Sequence, residues 1–94
     1  YICKNCNTHI GSYSQIVSKQ FIGRYGEALL LSDLVNISCG AAETRKLSTG
    51  EFIICKINCR SCDDYLGWKY LAAESKSQYY KNGMYALELS KVVK

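Results

Sequence analysis

The feature that most restricts how this chain can fold is a pair of CxxC motifs set far apart, Cys3 with Cys6 in CKNC and Cys59 with Cys62 in CRSC. A CxxC turn aims two thiolates at one point, and two such turns complete the four-sulfur tetrahedral shell that Zn²⁺ prefers. The 52 residues between Cys6 and Cys59 are too many for a short-spaced zinc ribbon. Sharing one Zn²⁺, the pairs would clamp the beginning of the chain to a point two-thirds along it and close a long loop. A filled four-cysteine shell leaves no position for water, so the expected site is structural and not hydrolytic. The competing readings are two unconnected pairs, or a redox disulfide in one of them. A thioredoxin-like motif needs a βαβ context, and none is visible here.

Length makes such a clamp useful. Ninety-four residues bury a small core, which often needs a metal, a disulfide or a partner to hold it. Six cysteines are enough for a secreted disulfide framework, but no secretory leader is visible and four of the six form the two metal-like pairs, which points to a reducing compartment. No run of 18 apolar residues offers a membrane-spanning helix. The formal charge of +4 falls to about +2 once four thiolates bind Zn²⁺, a weak electrostatic argument for a nucleic-acid partner.

The hydrophobic pattern predicts strands. EALLLSDLVNIS (27–38) is rich in Leu, Val and Ile, and EFIICKIN (51–58) is an apolar run expected to be a strand buried on both faces. The segments STGE, KNGM and IGRYGE read as turns. In YLGWKYL, alternation places Leu66, Trp68 and Tyr70 on one face and Gly67, Lys69 and Leu71 on the other. AAESKSQYY (72–80) is the best helical candidate, and MYALELSKVV (84–93) reads as a final strand. The fold class is mainly β, with two small antiparallel sheets.

Outside the knuckles, catalytic groups are scarce. Cys55 lies within an apolar run, where a free cysteine is usually a small buried hydrophobe, and Cys39 stands beside a glycine in a more exposed setting. Neither has a histidine neighbour in sequence to activate it. His9 is the only histidine, and with four cysteines filling the shell it reads as a packed or surface residue. The lysines 69, 76, 81, 91 and 94 are interleaved with tyrosines, but Glu74 and Glu88 interrupt them, so nucleic-acid binding ranks low.

The segments CKNCNTHI, SKQFIGRYGEALLL, VNISCG, TRKLSTGEF, INCRSC, LGWKYLAAESKSQYYKNG and LEL carry a family likeness without a gap. Through them, from Cys3 to Glu88, the chain resembles the Yippee family of small zinc-binding proteins. Gly26, Leu30, Asn36, Gly50, Gly67, Trp68, Tyr70, Lys81 and Glu88 fall where the family signature has them. Departures are Phe52, where a histidine is common, Lys56, where an acidic residue is, and Cys39 and Cys55, which lie outside the signature. The resemblance implies one Yippee-type domain over 1–94: a β-tent of two antiparallel sheets clamped by one structural Zn²⁺ on Cys3, Cys6, Cys59 and Cys62. It further implies a non-catalytic protein-interaction module, a subunit or scaffold of a multisubunit ubiquitin ligase or cell-division complex, nuclear and cytoplasmic.

With eight tyrosines and one tryptophan, aromatic residues supply the candidate contact surface: Trp68, Tyr70, Tyr79 and Tyr80. The alternative is an aromatic-pocket reader of a ligand or modified peptide, by fold analogy with the cereblon domain. A sulfoxide reductase using Cys39 or Cys55 ranks last, since nothing in the sequence activates either thiol.

Overall fold

Strands form where apolar and β-branched residues run between glycine-bearing turns. The computed structural model describes all residues 1–94, and its eight strands are β1 (Ile2–Cys3), β2 (Ile16–Gly23), β3 (Gly26–Leu31), β4 (Ile37–Leu47), β5 (Gly50–Cys59), β6 (Tyr65–Ala73), β7 (Tyr85–Glu88) and β8 (Val92–Val93). They make two antiparallel sheets, one of six strands in the order β2-β3-β7-β6-β5-β4 and one of two strands, β1-β8. The expected turns are present: Arg24–Tyr25 joins β2 to β3, and Ser48–Thr49 joins β4 to β5.

Strand alternation divides the core between the two faces of the large sheet. One face carries Leu29, Leu31, Ile57, Leu66 and Leu87 in a buried cluster that takes in Cys3 and Val92 from the small sheet and Ile10 and Leu34 from loops. The other carries Leu30, Phe52, Ile54, Trp68, Tyr70 and Ala86. Burial of each large apolar side chain stabilises the fold by about 1.5–3 kcal/mol, and the four residues Ala28–Leu31 are all buried.

Several expectations are corrected by this arrangement. β5 is not buried on both faces along its length: Phe52 and Ile54 bury toward one cluster, Ile57 and Cys59 toward the other, and Ile53 and Lys56 are exposed. Leu66 does not share a face with Trp68 and Tyr70. Asn58 pairs with Tyr65 and Ile57 with Gly67, so Leu66 is the extra residue of a β-bulge and turns into the first cluster. The 72–80 segment is not an α-helix; β6 continues to Ala73, and a 3-10 helix covers Lys76–Lys81. Only residues 74–84 lie between β6 and its antiparallel partner β7, too few for a stable α-helix together with the turns at its two ends. The last strand is likewise interrupted, with Leu89–Lys91 forming a 3-10 turn between β7 and β8.

Two close approaches tighten the large sheet. A Cβ on Gly67 would overlap the Ala86 carbonyl oxygen, so only glycine lets β6 and β7 pair at this point. A Cβ on Gly23 would overlap the Glu88 carboxylate, which is fully buried. That carboxylate accepts hydrogen bonds from the Arg24 and Tyr25 backbone N–H groups at 2.7 and 3.2 Å and from the Tyr65 hydroxyl at 3.2 Å. It therefore ties the β2–β3 turn to β7 and β6.

Candidate metal centre

The two knuckles have the same backbone plan. In the first, Asn7 N–H donates to the Cys3 carbonyl at 2.8 Å and Cys3 N–H to the Thr8 carbonyl at 2.8 Å. In the second, Asp63 N–H donates to the Cys59 carbonyl at 2.7 Å and Cys59 N–H to the Asp64 carbonyl at 2.8 Å. Asn7 and Asp63, each directly after the second cysteine, adopt left-handed φ values of 63° and 62°. Asn and Asp reach that region at lower cost than other non-glycine residues, because their short polar side chains bond locally. The signal was present in the sequence as an Asn or Asp following each CxxC.

Cys3 ends β1 and Cys59 ends β5, so the knuckles bring the small sheet to the end of the large one. All four sulfurs lie within 4.8 Å of one another, with Cys3 and Cys62 Sγ 3.7 Å apart and Cys6 and Cys59 Sγ 3.5 Å apart. A tetrahedral Zn–S shell with bonds of about 2.3 Å has S···S edges of roughly 3.8 Å, so the donor set fits one zinc. Cys3 and Cys59 are buried, Cys6 and Cys62 half-buried. Burial pushes the Cys3 thiol up to about 11, while the Thr8 hydroxyl, 3.1 Å from Sγ, leads in lowering Cys6 to about 6. When bound, Zn²⁺ holds all four as thiolates in a closed shell.

Asn36 braces the two knuckles from outside the sulfur set. Its φ is 57°, its side-chain N–H donates to the His9 carbonyl at 2.8 Å, and its own carbonyl accepts from Arg60 N–H at 2.9 Å. His9 is exposed and stands outside the sulfur cluster.

The aromatic candidates separate. Trp68 and Tyr70 are buried on the central strand β6 and line a cavity of about 850 Å³, so they are not open-surface residues; Tyr79 and Tyr80 on the 3-10 helix are exposed. Sequence alternation could not show this, because the open edge of the Trp68 face depends on where β2 and the 3-10 helix pack.

The chain matches, over residues 1–94, the family described as Yippee zinc-binding/DNA-binding/Mis18, centromere assembly. The chain belongs to the Yippee–Mis18 family. Among its relatives is human yippee-like protein 4, 44% identical over 94 residues that cover all of this chain and 74% of the relative. Bovine yippee-like protein 3 is 42% identical over the same 94 residues, 79% of its own length. The metal of a Yippee zinc-binding domain is zinc, and the cluster of Cys3, Cys6, Cys59 and Cys62 is the site the fold offers it. Within this Yippee domain two of the four departures are core residues: Phe52 is buried with its ring 5.0 Å from that of Tyr70, and Cys55 is buried, which pushes its thiol up, while Lys56 and Cys39 are exposed.

Proposed function

We propose that this Yippee domain is a non-catalytic, zinc-stabilised protein-interaction module that serves as a subunit or scaffold in a larger assembly of the ubiquitin-ligase or cell-division kind, in nucleus and cytoplasm. The observation that carries the reading is a set of exposed apolar side chains on neighbouring elements: Ile22 (77% exposed) and Tyr25 (52%) at the β2–β3 end, and Tyr79 (48%) and Tyr80 (53%) on the 3-10 helix. Ile22 and Tyr80 line the same cavity, so β2 and the 3-10 helix flank one opening. Exposed aromatic side chains are enriched at protein contacts. The relatives' names contain no enzymatic word, and of the two thiols a sulfoxide reductase could use, burial disfavours the thiolate at Cys55 while Cys39 is exposed on β4, outside the cavity.

The test is affinity purification with mass spectrometry of the full-length protein against a Tyr25→Ser/Tyr79→Ser double variant that retains zinc. The expected result is a complex of fixed stoichiometry recovered by the parent and lost by the variant. Recovery of the same proteins by both would overturn the surface assignment. The family description includes DNA binding, and a salt-dependent shift of duplex DNA by the parent protein would favour that second reading.

A further inference from the structure

Beneath that surface lies a buried charge without a counterion. Lys81 is 2% exposed, and its ammonium donates one hydrogen bond, to the Thr49 hydroxyl at 3.0 Å. No carboxylate pairs with it; the only salt bridge in the structure joins Arg45 to Glu43. Four rings surround the ammonium instead, with centroids 4.9 Å away for Phe52, 5.0 Å for Phe21, 5.4 Å for Tyr70 and 5.8 Å for Tyr80. Ring faces attract a cation but do not neutralise it, and burial lowers the pKa of this lysine. Water-excluded cations are normally matched by an anion.

A second polar group lies on the same wall: the indole Nε1–H of Trp68 is buried without a hydrogen-bond partner. Lys81 and Trp68 both line the cavity of about 850 Å³, a volume within the range of small-ligand sites. None of the 17 residues lining it is acidic, whereas Arg24, Arg45, Lys46 and Lys56 stand at its exposed rim. Phe21, Tyr65, Trp68, Tyr70 and Tyr80 provide flat apolar walls.

We propose that this cavity is a binding site for a small planar ring carrying an anionic group, the anion accepting from the Lys81 ammonium and the Trp68 indole N–H while the ring stacks on the aromatic walls. The rim cations add attraction and speed encounter. The site requires no docked protein, so it stands or falls separately from the interaction surface above it.

The test uses the purified zinc-loaded protein, with phenyl phosphate and benzoate as probes, phenol and benzamide as uncharged controls, and calorimetry with Trp68 fluorescence as readouts. At least one anionic probe is expected to bind saturably, at least tenfold tighter than its uncharged control. Lys81→Met, which keeps an unbranched side chain, is expected to weaken binding at least tenfold. Trp68→Phe, followed by calorimetry, keeps a ring, removes the donor and is expected to weaken binding several-fold; it serves as the test should Lys81→Met fail to fold. Adenosine monophosphate and a phosphotyrosine peptide then distinguish a free nucleotide from a modified side chain as the source of the ring. No saturable binding of either anionic probe at millimolar concentration, equal affinity for charged and uncharged probes, or full affinity in a folded Lys81→Met variant would overturn the proposal.

Discussion

At the scale of single residues, the least replaceable atoms outside the sulfurs are a carboxylate and a missing methyl group. Glu88 is fully buried and gathers three donors, two of them from the β2–β3 turn. Glu88→Gln keeps the shape and removes the charge; thermal or urea unfolding is expected to show a loss of about 1–3 kcal/mol. Gly67→Ala places a methyl against the Ala86 carbonyl and is expected to cost about 3 kcal/mol or more, measured the same way, or to prevent folding. Tyr65 makes a pH prediction. Burial, with the Glu88 charge beside it, raises its phenol above the usual value. The folded state then holds its proton more tightly than the unfolded chain does. The associated stability is present below about pH 10, the unfolded tyrosine value, and falls as the pH rises beyond it. In unfolding experiments between about pH 8 and pH 11, Tyr65→Phe should lose less stability above about pH 10 than the parent does. Glu88 and Gly67 belonged to the family pattern, but nothing in the sequence revealed what they touch, because both contacts are made across strands far apart in the chain.

At the scale of elements, the knuckles are the most regular pieces. Their matching hydrogen bonds and matching left-handed Asn7 and Asp63 predict that Asn7→Gly and Asp63→Gly are nearly neutral. Asn7→Ala and Asp63→Ala should each cost about 1–2 kcal/mol and weaken zinc retention in a chelator competition. Strands were legible where alternation or an apolar run met a turn signal, as in EALLL and EFIICKIN. Pattern failed at the bulge, where the skipped residue Leu66 changes face, and after Ala73, where a polar segment with helical composition becomes a 3-10 helix. Both failures have one cause: the partner strand or covering element decides the geometry, and sequence period describes only the element itself.

At the scale of the whole molecule, the four-cysteine cluster was legible because each CxxC is a local motif, and all four sulfurs do converge. The aromatic cavity was not, since its floor, walls and rim come from β2, the β2–β3 turn, β4, the β4–β5 turn, β5, β6 and the 3-10 helix together. Architecture explains why zinc matters. The small sheet β1-β8 has only two residues in each strand, too few to be stable alone. Its Cys3 and Val92 nonetheless complete the first core cluster. Four thiolates around one ion fasten that sheet to the end of β5 and close the loop of 52 residues between the knuckles. The most direct test is thermal unfolding, followed by circular dichroism and Trp68 fluorescence, of the protein with one bound zinc and after its removal by a chelator under reducing conditions. The expected result is a single cooperative transition with zinc, lost on removal and restored by adding one equivalent back. A zinc-free protein that keeps the same transition and the same tryptophan spectrum would contradict the clamp.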